Sequence, residues 1–319
     1  MNLLKSMGGI FWNWKERRFR MIWRLVIYSI IYSIILFALM LLFSTLIGFS
    51  NFANWTSLLA LVTLLAVLVA TLIAGKWVDR RSIADFGLHL TKAWWKDFAF
   101  GLGLGAFLMG IIFLAAWLTG NLRITGTFQK TMSNTPFYLE FIDAILFFIY
   151  VGFYEELISR GYLLINLAEG LKFSWMRKKW ALLSALGISS LIFGLLHIVN
   201  PNASWVSTLT LSLAGIFLGL GFVLTGRLGL SIGLHITWNL FQGCVFGFPV
   251  SGNNFSVTLI GTTLTGPAWL TGGAFGPEAG VMGLMAMLIG CLLILLWVRR
   301  RGSLALKKDL TVYEPKMQE

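Results

Sequence analysis

The chain has 319 residues, 57% of them hydrophobic and only 12% charged, with a mean hydropathy of +0.81. A soluble domain carries about 25% charged residues, so the composition excludes an ordinary soluble protein and points to a membrane protein. The net charge of +12 sits in short runs between apolar stretches, with no basic face interleaved with aromatics. That pattern excludes a nucleic-acid binder and reads as a topology signal with contact to anionic lipid.

A basic N-terminal segment leads into an apolar run from Leu25 to Phe49. A cleavable signal has an apolar core of about 7–15 residues; this run is longer and reads as a retained anchor. A spanning helix needs about 20 mostly apolar residues, and eight stretches qualify: 25–48, 53–75, 98–119, 141–166, 180–199, 205–225, 228–247 and 279–298. Alternate crossing sorts the basic residues: 22 fall in segments of one parity, only Arg123 and Lys130 in the other, and Arg160 lies within a span. The positive-inside rule then predicts a multi-pass protein of the cell membrane with both termini cytoplasmic. The expected fold class is all-α, a polytopic membrane protein with about eight transmembrane helices around an intramembrane polar cavity.

Residues 120–140 read as a short interfacial lid or linker. Residues 248–277 carry no charge and many Gly and Thr, which suits an outer loop or a re-entrant turn. Pro277 and Glu278 look like the first turn of the last helix. Cys244 and Cys291 lie in apolar runs and read as membrane-core residues, not a disulfide or zinc ribbon. The closing "EPKMQE" carries no lipidation motif. The expected organisation is an N-terminal unit of three spans (1–140), a core (141–247), and an outer loop, last helix and basic tail (248–319).

Charged groups in mid-membrane are costly and usually line a cavity. The fourth span, "FIYVGFYEELISRGYLL", holds Glu155, Glu156 and Arg160. Glu156 and Arg160 are one turn apart and can pair. Glu155 points about 100° away and has no partner on its own helix, which suits a general base. The fifth span ends in "FGLLH", with Phe193 and His197 one turn apart. The seventh contains "HITWN", with His235 and Asn239 stacked. His89 lies in a polar loop and reads as interfacial. A Glu, two His and an Asn could activate water and stabilise an oxyanion, or bind a metal. No Ser–His–Asp set, Gly-rich phosphate loop or HExxH zinc helix is present.

These three motifs in order, on three separate spans, resemble the CAAX-processing and bacteriocin-processing family of membrane proteases over about residues 145–245. The flanks carry a looser likeness, such as "SIADFGL" before the third span. The resemblance implies a glutamate-type intramembrane endopeptidase acting on membrane-associated peptides or lipidated proteins. Glu155 would be the general base, His197 would help hold the water, His235 and Asn239 would donate to the oxyanion, and Glu156, Arg160 and Phe193 would support them. No cofactor is expected and no metal is required, because Asn239 is a poor zinc ligand but a good hydrogen-bond donor. The alternatives are a non-catalytic scaffold or bacteriocin-immunity factor, and a transporter. Expected partners are membrane lipids and the substrate; the sequence does not give the oligomeric state. One tension stands: Glu155 falls mid-membrane while His197 falls near the outer end of its span. A fifth helix that stops short, with "NPNAS" as a buried polar turn, would reconcile them.

Overall fold

The computed structural model describes residues 9–48, 55–130 and 135–313. The expected elements at 1–8, the start of the second span, residues 131–134 of the expected lid and the final "EPKMQE" lie outside the described residues. Among the described residues eight principal helices run in order: α1 (Met21–Ile47), α2 (Thr56–Asp79), α3 (Lys92–Leu118), α4 (Phe137–Gly170), α5 (Lys178–Leu196), α6 (Trp205–Thr225), α7 (Gly229–Leu240, continued by a wide π turn at Phe241–Val245) and α8 (Val281–Arg301). Seven of the eight are long and apolar enough to cross a membrane. The chain is thus an all-α, polytopic membrane protein.

α7 is the exception. Its α-helical part has 12 residues, and every residue from Gly229 to Trp238 is buried. It lies inside the bundle, packed against α3, α4 and α6. α1 is the opposite case. Among its described residues only Arg24 and Tyr28 are buried, while Ile30, Ile34, Phe37 and Leu41 point outward. Apolar side chains facing out all along a helix suit a lipid solvent.

Glycine brings α3 and α7 together. A Cβ on Gly101 would strike the Leu230 carbonyl, and one on Gly105 the Leu234 carbonyl. From the other side, one on Gly229 would strike the Trp94 carbonyl and one on Gly233 the Phe98 carbonyl. Partner numbers rise together, so the helices run parallel, each with a Gly-xxx-Gly face that permits backbone contact. The Thr237 hydroxyl donates to the Leu102 carbonyl at 2.8 Å across this seam. The α5–α6 seam is built alike, with Gly194 against Thr208 and Ser212, and Gly215 against Ser190.

One end of the bundle is tied by buried charge. Arg18 and Arg24 reach Glu169 at 2.7 and 2.8 Å, Arg24 reaches Asp79 at 3.2 Å, and Arg81 also pairs with Glu169. The Tyr162 hydroxyl donates to Asp79 at 2.6 Å, and the Arg18 guanidinium stacks 3.6 Å from the Tyr313 ring. These contacts join the segment before α1, the ends of α2 and α4, and the C-terminal segment. Nearby, Asp97 takes Arg227 at 2.7 Å, the Trp297 indole N–H at 3.0 Å, and Arg301. Two basic residues that read as topology signal, Arg18 and Arg24, are thus buried partners.

The opposite end carries strands. β3 (Leu122–Lys130) and β4 (Val257–Leu264) pair antiparallel. The linker and loop expected there join as a two-stranded ribbon. β-branched and small residues (Ile124, Thr125, Thr127; Val257, Thr262, Thr263) fit that backbone. A second, minimal pair, β1 (Trp12–Asn13) with β2 (Arg18–Phe19), precedes α1. Pro277–Ala279 forms a separate 3₁₀ turn, and α8 starts only at Val281. Glu278 is therefore a buried side chain, not a first-turn acid of the last helix.

Candidate active site

Glu155 and Glu156 close the regular part of α4, immediately before a wide π turn at Leu157–Leu164 that carries Arg160. π turns often mark functional sites. Gly152, one turn earlier, faces the Ile236 side chain of α7 with no room for a Cβ. That approach sets Glu156 beside His235.

Glu156 is fully buried. Its Oε1 accepts from Arg160 Nη1 at 2.7 Å and from His235 Nδ1 at 2.8 Å. The expected Glu156–Arg160 pair forms, and the carboxylate also holds the catalytic-candidate imidazole. Arg160 donates further to the Gly215 carbonyl at 3.0 Å and lies 4.6 Å from the Phe193 ring centre. Phe193 is the hub of the aromatic contacts, 4.8 Å from the His197 ring and 6.2 Å, edge-on, from His235.

Glu155 makes no hydrogen bond among the described residues. Its side chain is 22% exposed, and its Oε2 stands 3.8 Å from His235 Nε2, a gap that a water can bridge. His197 caps α5, and its Nδ1 donates to the Phe193 carbonyl at 2.8 Å. The Nδ1 acceptors of His197 and His235 are a carbonyl and a carboxylate, groups without a proton. Nδ1 therefore carries a proton in each ring, and in the neutral imidazole Nε2 is left to accept.

Glu155, Phe193, His197, His235 and Asn239 line one cavity of about 810 Å³. Glu156 and Arg160 stand behind it, bonded to His235 and packed on Phe193. The depth tension resolves through element lengths. α4 has 34 residues and α5 has 19. Glu155 stands about 22 Å before the α4 end at Gly170, and His197 about 28 Å from the α5 start at Lys178, at 1.5 Å per residue. α5 ends at Leu196, while α4 begins at Phe137 and overhangs it. The turn after His197 is largely exposed, not buried: Pro201 and Asn202 face outward, and Asn200 ties it to the Ser251 carbonyl at 2.9 Å. The Ser204 hydroxyl then caps α6 by accepting from Ser207 N–H.

Sequence reasoning passed over Glu140, Asp143 and Glu278, which also line the cavity. Glu278 is fixed by N–H and O–H donors from Ser251 and by the Gln242 amide. Burial pushes its carboxyl up to about 7, against the pull of those donors. His89 is exposed, as an interfacial residue would be. Among the described residues no three His, Cys, Asp or Glu side chains are grouped to hold a metal ion.

Residues 137–241 match the family model of type II CAAX prenyl endopeptidase Rce1-like proteins. The match covers 105 of the 319 residues. No curated protein and no solved structure matches it. The matched stretch runs from the start of α4 to the first residue beyond α7's regular part. It contains all seven residues singled out for the site.

Proposed function

We propose that the protein is an intramembrane endopeptidase that hydrolyses peptide bonds of membrane-associated peptides or lipidated proteins with a glutamate-activated water. The observation that carries this reading is the 3.8 Å gap between Glu155 Oε2 and His235 Nε2, open to a cavity that His197 and Asn239 share.

Glu155 takes a proton from a cavity water that the free Nε2 of His197 helps to hold. The hydroxide attacks the peptide carbonyl, and Asn239 donates its amide N–H to the oxygen as charge develops. His235 can join as a donor only with a second proton, because Glu156 already holds its Nδ1–H. The source is the attacking water: its proton passes through Glu155 to Nε2, and the ring then donates to the oxyanion or the leaving amine. Glu156 keeps the ring oriented, and Arg160 balances Glu156. The protein would sit in the cell membrane with both termini in the cytoplasm.

The decisive experiment is cleavage of a membrane-tethered peptide by purified Glu155→Gln protein. Loss of cleavage with unchanged folding supports the reading. Normal turnover overturns the mechanism, and a biological phenotype that survives Glu155→Gln would favour the non-catalytic scaffold or immunity factor. No metal is required on this account, since Asn239 serves as a hydrogen-bond donor and is a poor metal ligand. Stoichiometric zinc, with activity lost to a chelator and restored by zinc, would contradict that.

A further inference from the structure

The cavity does not end at the candidate catalytic residues. It follows one stripe of α4 from Glu155 back through Val151 and Phe147 to Asp143 and Glu140, near the ribbon end. Glu140 is only 5% exposed, and neither carboxylate oxygen has a hydrogen-bond partner among the described residues. Asp143, one turn on, is occupied differently. It caps the start of α2 by accepting from the Thr56 hydroxyl at 2.9 Å and from Ser57. Neither acid forms an ion pair among the described residues. A buried, unpartnered carboxylate is costly, and a second negative group a turn away raises that cost. A cation entering from the cavity would relieve it.

We propose that Glu140 and Asp143 form an acidic subsite that takes the ammonium or guanidinium of a substrate lysine or arginine. The proposal rests on the proteolytic reading of the cavity and names the substrate class: a peptide with one basic residue set apart from its cleaved bond by apolar residues. The spacing follows from the helix. Fifteen residues separate Glu140 from Glu155, about 22 Å at 1.5 Å per residue. An extended peptide advances about 3.3 Å per residue, so the basic residue sits about six or seven residues from the scissile carbonyl. The wall between is apolar, with Phe147, Phe148, Val151 and Phe255, which fits an apolar intervening segment.

The test uses the full chain in lipid nanodiscs with tethered fluorogenic peptides. An apolar host carries a single Lys, scanned from three to ten residues on either side of the bond, with Ala and Glu as counterparts. Binding of the same peptides to Glu155→Gln protein is measured in parallel. The expected result is a Lys preference at about six or seven residues, on the order of tenfold over Ala and expressed in KM and in binding. In Glu140→Gln protein the Lys-to-Ala ratio should fall to about one, and in Glu140→Lys protein the preference should pass to Glu. The Glu140 side chain makes no hydrogen bond among the described residues, so the Gln variant should melt no lower than wild type does. A Lys preference that Glu140→Gln leaves intact, or no preference in either cleavage or binding, overturns the subsite. So does a preference that appears only with added divalent cation, which would make the acids a metal site. Lys-dependent, Glu140-dependent binding with no peptide cleaved would sink the protease reading and leave the subsite standing.

Discussion

Glu155 and Glu156 are adjacent in sequence and opposite in environment. Glu156 is fully buried between Arg160 and His235, while Glu155 keeps 22% of its side chain open to the cavity. The 100° step of a helix made that division legible from sequence, and so was the Glu156–Arg160 pair. The Glu156–His235 bond was not, because it joins α4 to α7 and no local spacing encodes it. Two outcomes follow. Glu155→Gln keeps volume and fold but removes the base, so cleavage should drop by about 10²–10⁴-fold, with an unchanged melting curve. Glu156→Gln leaves Arg160 without its counter-charge, and breaking a buried pair costs about 3–5 kcal/mol. It should lower thermal stability first, and a variant that melts like wild type would show that the pair does not brace α4.

Glu278 belongs to the same scale, outside the helices. Its carboxyl is raised to about 7 from 4.5, chiefly by burial. The folded protein therefore holds that proton more tightly than the unfolded chain does. The associated stability is fully present below about 4.5 and is lost as pH rises through about 7. Melting of wild type relative to Glu278→Gln should show wild type losing ground across that window. A difference that is flat with pH would mean the carboxyl titrates normally. Sequence pattern suggested a helix start here, since Pro followed by an acid is a common opening. Gly280 intervenes in extended conformation and turns Glu278 inward to hold Gln242 and Ser251.

At the scale of elements, the spans were legible because apolar length is a strong signal, and the seams were not. Composition shows that glycine is common but not which glycine faces which helix. The parallel α3–α7 contact depends on Gly101, Gly105, Gly229 and Gly233, and His235 lies two residues beyond Gly233. Gly233→Val would push α7 off the Phe98 carbonyl. Overpacking costs about 1–3 kcal/mol, and here it also displaces His235 and Asn239 from Glu155. Activity should fall by more than stability does, read as a large loss of kcat beside a modest shift in melting temperature. Gly103, with nothing near its missing Cβ, is the control, and Gly103→Ala should leave both unchanged. The β3–β4 ribbon was missed for a different reason. Its β-branched runs are strand signals, but they lie far apart in sequence, and no local spacing encodes their pairing.

The whole molecule tests the count of crossings. α7 is too short to stand as a membrane span by length alone, yet its direction is fixed by its neighbours. It starts beside Asp97, where Arg227 pairs at 2.7 Å. It ends beside the ribbon, where the Phe246 carbonyl accepts from the Thr262 hydroxyl and the Phe246 ring stacks 4.5 Å from Phe113. It also runs parallel to α3. Eight alternating legs follow, and they gather the ends of α2, α4 and α8 with the starts of α1 and α3 at the charged end. A reporter placed after Leu90 or Arg301 should therefore read cytoplasm, and one near Thr258, in the ribbon, should read the opposite side. The expected absolute orientation rests on the partition of 22 basic residues against 2, and the relative one on the parallel α3–α7 seam. Inverted signals at all three positions would overturn the charge argument and leave the architecture. The same side at Leu90 and Thr258 would remove a crossing and break the architecture itself.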